Sequence, residues 1–234
     1  MRPSNMEIQN SRQFHVHPDA ISEGVVTIKI CELYRQMVSV LRLQKGDSVR
    51  FFDGAGNVSE GKIAHVGKDG IIVPIQEQTV QPRGRDITLA VGILKNDRMR
   101  WVLEKATELG VWSIVPMITD RVIKRPNVTP PRWHYIVKEA AEQSGRAWLP
   151  TVENVQDFNH VMEGRKGMVM CAINGIDNIA DCDSNEPATI LVGPEGGFTE
   201  QEVSHAESMG ACVVSLGAHQ LRADTATIVA LSRM

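Results

Sequence analysis

The 234-residue sequence lacks features that define several large classes of protein. Its four cysteines form no CxxC pair, which speaks against a zinc site and fits a reducing compartment. Two of them, Cys171 and Cys212, lie in apolar runs and are predicted to be core residues. No uninterrupted apolar run approaches the roughly 18 residues of a membrane-spanning helix. Residues 1–10 are polar and lack the apolar segment of a secretory signal, so we expect a cytoplasmic protein.

The sequence also lacks a strong overall charge, with 25 Lys and Arg against 28 Asp and Glu. The charges are unevenly distributed, however. Residues 83–148 hold 12 Lys and Arg against 7 Asp and Glu, whereas residues 149–234 hold 4 against 12. The basic middle third keeps nucleic-acid binding open. On charge alone, solvated helix faces remain the preferred explanation.

The hydrophobic pattern changes along the chain. Residues 12–80 contain short β-rich runs, such as residues 25–30 and 61–66, separated by Gly-containing turns, which predicts a small barrel. Beyond a linker around Pro82, strands and helices alternate, which predicts an α/β domain with a largely parallel sheet. The predicted domains are therefore residues 1–80 and residues 84–234.

Local signals predict where two helices of the α/β domain begin. Residues 98–109 have apolar positions at helical spacing, and Asn96 or Asp97 can cap the start of this helix. Thr199 followed by Glu202 has the spacing of a capping box, which predicts a second helix that begins there.

Two glycine-bearing loops follow predicted strands late in the chain: GPEGGF at residues 193–198 and LGAHQLR at residues 216–222. In open α/β sheets, ligands bind beyond the carboxyl ends of strands. Glycines at such positions let backbone amides approach a ligand closely. Neither loop is a GxGxxG or GxxxxGK[ST] motif, which removes the usual support for NAD or ATP.

Several motifs in a fixed order carry a family resemblance. They are LKNDRMRW at residues 94–101, EKATELGV at 104–111, EAAEQSGR at 139–146, GPEGGF at 193–198 and LG…LR…DTA between 216 and 226. With these motifs the chain resembles the RsmE family, the small-subunit (16S) ribosomal RNA uridine-N3 methyltransferases of the SPOUT superfamily. The resemblance covers nearly the whole chain.

The resemblance implies a fold that the hydrophobic pattern does not predict, because knotted chains are rare. Residues 84–234 would form a trefoil-knotted SPOUT methyltransferase domain, and residues 1–80 an RNA-binding PUA-like β-barrel. The protein would act as a homodimer on small-subunit ribosomal RNA or the assembled subunit, without membrane contact. S-adenosyl-L-methionine would be bound by Ala172, Ile173, Gly193, Pro194, Glu195, Gly196, Gly197, Leu216, Gly217, Leu221 and Arg222.

Two of these residues are also predicted to act in catalysis. Arg222 would orient the uracil or stabilise its charge, and Glu195 would accept the proton from N3. Both residues also have a structural alternative. Glu195 could cap a loop or form a structural salt bridge, and Arg222 could form a salt bridge with Asp224 or Glu195. RNA would be contacted by Lys95, Arg98, Arg100, Arg121, Lys124, Arg125, Arg132 and Arg146.

The sequence departs from the family pattern at two positions and leaves other functions open. His219 and Asp224 stand where the family usually has Arg and Glu, and histidine lacks the planar fork of arginine. The alternatives are another SPOUT RNA methyltransferase and a non-catalytic RNA-binding ribosome-assembly protein, which only His219 supports. No metal site is predicted, because His15 and His17 lack a cysteine or carboxylate partner nearby.

Overall fold

A computed structural model describes residues 12–163, 165, 167–176, 182 and 188–234. Its strands are β1 (Arg12–His15), β2 (Ile21–Ser22), β3 (Val25–Ile28), β4 (Ser48–Phe52), β5 (Asn57–Lys62), β6 (His65–Gly67), β7 (Gly70–Val80), β8 (Ile87–Gly92), β9 (Ser113–Ile118), β10 (Thr151–Val152), β11 (Gln156–Asp157), β12 (Met168–Ile176), β13 (Ala188–Val192) and β14 (Cys212–Val214). Its α-helices are α1 (Glu32–Arg35), α2 (Asn96–Glu108), α3 (Pro131–Ser144), α4 (Phe158–Met162), α5 (Glu200–Ser208) and α6 (Ala223–Ser232). A π-helical turn, Gln36–Val40, follows α1, and a 3-10 turn, Pro18–Ala20, precedes β2.

The first unit consists of the chain up to Arg83 together with Glu142–Trp148. Its strands follow the order β1-β4-β5-β7-β3-β2, and β6 pairs with β7. The 11-residue β7 pairs with β3 through its first half and with β5 through its second half, so it joins both parts of the sheet. Phe14, Met37 and Phe51 are among the side chains that fill the core.

The predicted single strand over residues 61–66 is wrong. β5 ends at Lys62 and β6 begins at His65. Between them the backbone changes its partner, because the Ile63 N–H donates to the Asp47 carbonyl and the Ala64 N–H donates to the Ile72 carbonyl.

The segment Glu142–Trp148 contacts the first unit although it follows most of α3 in sequence. The Gln13 side chain donates to the Arg146 carbonyl at 3.0 Å. Gln81 accepts from the Ala147 N–H at 2.7 Å, and its carbonyl accepts from the Trp148 ring N–H at 2.9 Å. A single boundary along the chain therefore cannot divide the two units, because Glu142–Trp148 belongs to the first unit but lies in sequence between the two parts of the second.

The second unit, Gly84–Ala141 and Leu149–Met234, is built on a parallel sheet. Its order is β10-β9-β8-β13-β12-β14, with β11 also on β9, and every pair is parallel. Along β8, Leu89 and Val91 belong to one core cluster and Ala90 to another. Helices α2, α3 and α6 contribute to the first cluster, and α4 and α5 to the second. Both faces are buried, as parallel sheets require, and the α/β prediction is confirmed.

The signals for helix ends have mixed outcomes. The capping box is present at the start of α5, where Thr199 and Glu202 bond each other reciprocally. The capping prediction for α2 is wrong. The helix begins at Asn96 with Lys95 in the N-cap position and no capping bond from the Lys95 side chain.

The cysteines show a pairing that the sequence does not predict. Cys182 and Cys212 form a disulfide across 30 residues of sequence. Cys212 packs against the core as predicted, but the sequence did not predict its disulfide. The absence of a CxxC motif excludes only close pairs, not pairs that folding brings together. Cys31 is exposed and Cys171 is a free thiol. Burial raises the pKa of Cys171 to about 12, so this thiol stays neutral at physiological pH.

Within the described ranges, no helix is long and apolar enough to cross a membrane.

Candidate active site

Strands β13 and β14 end at the same level on either side of β12, which itself continues to Ile176. Cys171 of β12 pairs with Val192 of β13 on one side and with Val214 of β14 on the other. The GPEGGF loop (residues 193–198) leaves β13 at this level, and the LG loop (residues 215–222) leaves β14. Ligands of open α/β sheets bind beyond this kind of edge. The structure therefore places the two sequence-predicted loops after strands that flank β12.

The end of β12 lies between the strands that carry these loops. Ala172 is half-buried, and Ile173 is 68% exposed. Further along β12, a Cβ on Gly175 would lie 2.3 Å from the Val214 backbone carbon, so only glycine allows this approach to β14. An exposed apolar side chain beside two glycine loops suits a small-molecule site, which needs apolar walls.

Gly92 lets the GPEGGF loop pass close to the end of β8. A Cβ on Gly92 would lie 2.5 Å from the Pro194 backbone nitrogen. A Cβ on Gly193 would similarly lie 3.0 Å from the Gly197 carbonyl carbon. Sequence reasoning missed Gly92. Its signal is a glycine in a buried strand, which often marks close backbone approach.

Glu195 connects the GPEGGF loop to the start of α2. Its Oε1 accepts a hydrogen bond from the Lys95 N–H at 3.2 Å and lies 3.9 Å from the Arg98 Nη1. A carboxylate near a helix N-terminus also interacts favourably with the helix dipole. The acceptor for the Lys95 N–H at this end of α2 thus comes from a distant loop. The structural alternative for Glu195 is therefore present, because its Oε1 accepts from the Lys95 N–H and faces Arg98.

A cleft of about 520 Å³ opens beside Glu195. It combines apolar and charged side chains, namely Ile93, Leu94, Ile123, Lys95, Asp97, Arg98, Lys124 and Glu195. Ile123 is 76% exposed. The apolar surface of such a cleft can contact a nucleic-acid base, and the cations at its border can contact a phosphate.

Arg121 lies against the GPEGGF loop. Its Nη1 donates to the Gly196 carbonyl at 2.8 Å and to the Phe198 carbonyl at 3.1 Å. A Cβ on Gly196 would lie 3.0 Å from the Arg121 Cβ and 3.3 Å from its Cδ. A larger residue at position 196 would crowd the Arg121 side chain, which would have to move to make room for it.

The LG loop presents backbone groups and one guanidinium. The Ser215 hydroxyl donates to the Gly217 carbonyl at 3.1 Å, and Gly217 has a φ of +145°, which favours glycine. Leu216 packs against the core, and Leu221 is half-buried. Arg222 is exposed at the N-cap position of α6.

The salt bridges left open for Arg222 are absent from the described part of the chain. Glu195 faces Arg98 instead, and the Asp224 Oδ1 accepts from the Thr225 N–H at 3.0 Å. Within that part of the chain, the Arg222 guanidinium makes no ion pair and is available to a ligand. His219 is exposed on the same loop.

The residues predicted to contact RNA do not all lie in one unit. Seven belong to the second unit: Lys95, Arg98, Arg100, Arg121, Lys124, Arg125 and Arg132. Arg100 is paired with Glu104 at 2.7 Å, and Arg125 donates to two carbonyls near its own position. Arg146 belongs to the first unit, where burial lowers its pKa.

The donor set fits S-adenosylmethionine better than a metal ion. The exposed Gly196 and the half-buried Gly197, whose φ is +68°, offer backbone amides and carbonyls that can read an adenine. Leu216, Leu221 and Ile173 are at least partly exposed at the same edge and offer the apolar surface that a small-molecule site requires. Among the described residues, no cluster of three His, Cys, Asp or Glu side chains could hold a metal ion.

Comparison with known proteins defines the class to which this architecture belongs. The model of an RNA methyltransferase domain matches residues 81–234, and that of an RNA methyltransferase PUA domain matches residues 37–76. The second unit is thus an RNA methyltransferase domain.

Individual relatives narrow the class to one family. The ribosomal RNA small subunit methyltransferase E of Synechocystis sp. is 36% identical over 232 residues, covering 94% of this chain and 75% of that protein. The enzyme of the same name from Rickettsia conorii is 34% identical, covering 84% and 83%. The crystal structure of the Neisseria gonorrhoeae enzyme bound to S-adenosyl methionine superposes with a TM-score of 0.86, at 28% identity and 95% coverage of both chains. The chain belongs to the ribosomal RNA small subunit methyltransferase E family, and the resemblance inferred from its motifs is confirmed.

Proposed function

We propose that the protein transfers the methyl group of S-adenosyl-L-methionine to N3 of a uridine in small-subunit ribosomal RNA. The observation that carries this proposal is the arrangement of the GPEGGF and LG loops at the ends of strands that flank β12. A relative of the same fold and family is bound to S-adenosyl methionine, which supports the choice of methyl donor. Another SPOUT RNA methyltransferase activity and non-catalytic RNA binding are the alternatives that the tests must exclude.

The donor is held by residues of the two loops and of the end of β12. They are Ala172, Ile173, Gly193, Pro194, Glu195, Gly196, Gly197, Leu216, Gly217, Leu221 and Arg222. When bound, S-adenosylmethionine supplies a methyl group activated by its sulfonium. The backbone of the loops orients it, and positioning of the reacting atoms provides much of the acceleration.

Arg222 and Glu195 act on the uracil. The Glu195 Oε2, which makes no hydrogen bond to another described residue, accepts the N3 proton. The lone pair of N3 then forms a bond to the methyl carbon, and the electron pair of the broken C–S bond stays on sulfur. The Arg222 guanidinium stabilises the negative charge that develops on the uracil before transfer.

RNA is held by the cations around this edge and by the first unit. Lys95, Arg98 and Lys124 line the cleft beside Glu195, and Arg100, Arg125 and Arg132 of the same unit also contact phosphates. Arg146 contacts phosphate from the first unit. A paired uridine must leave its helix before the methyl group can reach N3.

The complete architecture is proposed from the family. Residues 1–80 form a PUA-like barrel that binds RNA, and residues 84–234 form a trefoil-knotted SPOUT domain. The protein works as a homodimer in the cytoplasm, where its ribosomal substrate is assembled.

Methylation of isolated ribosomal subunits tests the proposed function. Purified protein and S-adenosylmethionine are incubated with small subunits that lack the modification, and we expect stoichiometric methyl incorporation. Large subunits provide the matched control, and we expect no incorporation there. If the protein binds the donor but methylates neither small-subunit particles nor the naked small-subunit RNA, the non-catalytic alternative is supported.

The substitution Glu195→Gln separates the proton-acceptor role from the structural role. Glutamine retains an oxygen that can accept from the Lys95 N–H but cannot take up a proton. We expect kcat to fall about 100-fold, a typical contribution of general base catalysis, with donor binding retained. The exposed Glu207→Gln substitution on α5 is the control and should leave kcat unchanged. A near-normal kcat for the Glu195 variant would leave this residue with only its structural role.

A further inference from the structure

The segment after β9 contacts the GPEGGF loop through hydrogen bonds that the proposed mechanism does not use. Arg121 donates from Nη1 to the Gly196 carbonyl at 2.8 Å and to the Phe198 carbonyl at 3.1 Å. These carbonyls belong to the second half of the loop. The first half is already held at Glu195 by the Lys95 N–H.

A buried carboxylate joins the same two segments. Glu202 is 6% exposed, and its Oε1 accepts from the Asp120 N–H at 2.9 Å. Its Oε2 accepts from the Thr199 N–H at 2.8 Å and from the Thr199 hydroxyl at 3.2 Å. Glu202 therefore ties the residue that precedes Arg121 to the residue that follows the loop. A buried charge that is fully hydrogen-bonded fixes its partners strongly, since breaking one bond leaves it unsatisfied.

We propose that Arg121 and Glu202 are positioning residues that hold the GPEGGF loop in the conformation that binds S-adenosylmethionine. The proposal rests on the proposed function in one respect, because it takes this loop to be the donor-binding loop. Arg121 thereby acts through the loop carbonyls and not as the phosphate contact that its charge predicts. Gly196 leaves room for the Arg121 side chain, and Arg121 in turn donates to the Gly196 carbonyl. The glycine and the arginine therefore act together in holding the loop.

Kinetics of Arg121→Ala test the proposal. Arg121 is exposed, so the variant should fold. Loss of two charge-assisted bonds to the loop should raise the KM for S-adenosylmethionine about ten-fold or more, with the KM for small subunits and kcat little changed. Arg121→Lys should restore part of the donor affinity, because an ammonium can still donate to a carbonyl.

Arg125→Ala is the matched control. Its Nη2 donates to the Thr119 and Asp120 carbonyls, so the variant loses the same charge and the same kind of bond in the same segment without touching the loop. Because Arg125 is itself a proposed phosphate contact, its loss should raise the KM for RNA, whereas its KM for S-adenosylmethionine should be unchanged. If Arg121→Ala instead raises the KM for RNA and leaves the KM for the donor unchanged, the positioning role is overturned.

Hydrogen exchange in the absence of the donor distinguishes failure of this inference from failure of the proposed function. Gly197 donates its N–H to the Pro194 carbonyl at 2.8 Å, and Thr199 donates to Glu202. We expect both amides to exchange faster in Arg121→Ala and in Glu202→Gln than in the wild type and in Arg125→Ala. Unchanged exchange in both variants would contradict the inference even if the wild type methylates RNA. Faster exchange would support it whatever ligand the loop binds.

Discussion

The substitution Gly196→Val should abolish stabilisation of the protein by S-adenosylmethionine. The new Cβ would lie 3.0 Å from the Arg121 Cβ, and the two further methyl groups of valine add to this crowding. The valine side chain displaces the loop backbone, which we propose binds the donor. At a donor concentration of 100 times Kd, the wild type should gain about 2.7 kcal/mol of stability. For a protein of this size that is roughly 5–11 °C in Tm, and we expect no measurable shift for the variant.

A glycine outside the site provides the control for this experiment. A Cβ on Gly84 would meet no atom within 4 Å, so Gly84→Val adds the same side chain without crowding. We expect this variant to be stabilised by the donor as the wild type is. The Tm of Gly196→Val without donor should stay within a few degrees of the wild type, because the residue is exposed. A normal donor-induced shift in Gly196→Val would show that the donor binds elsewhere.

The substitution Arg222→Ala should lower kcat by about 100-fold or more, the typical cost of removing one group that stabilises developing charge. The guanidinium is exposed and makes no ion pair with another described residue, so its loss should not disturb the fold. Donor-induced stabilisation should be largely retained, because we propose that Arg222 is one of several donor contacts and that the loop backbone makes most of the others. Kinetics on small subunits together with thermal shifts measure both quantities.

Arg233→Ala is the control for the loss of charge at Arg222. Arg233 is exposed at the other end of α6, so its substitution removes the same charge from the same helix. We expect its kcat to equal that of the wild type. If Arg222→Ala keeps a normal kcat but loses donor-induced stabilisation, Arg222 binds the donor and does not stabilise the uracil.

Local signals in the sequence predicted much of the second unit. The capping box at Thr199 and Glu202 is a short-range pattern, and it forms as expected. The alternation of strands and helices predicted the parallel sheet because it depends on hydrophobic spacing within each element. Both kinds of signal involve residues close together in the chain.

The features that the sequence did not predict depend on contacts between distant residues. The Lys95 N–H at the start of α2 donates to Glu195, about 100 positions away in sequence. No signal near Lys95 in the sequence could predict this acceptor. The tight passage of Pro194 over Gly92 and the Cys182–Cys212 disulfide arise in the same way. The roles of the GPEGGF and LG loops came from the family resemblance, because a double glycine after a strand equally fits an ordinary turn.

The identity of the methylated nucleoside tests the central claim most directly. RNA from small subunits treated with the protein and S-adenosylmethionine is digested to nucleosides and analysed by mass spectrometry against untreated subunits. The account predicts a new peak of 3-methyluridine, absent when Gly196→Val replaces the wild type. A different methylated nucleoside would contradict the assignment of uridine N3 and indicate another RNA methyltransferase activity on the same fold.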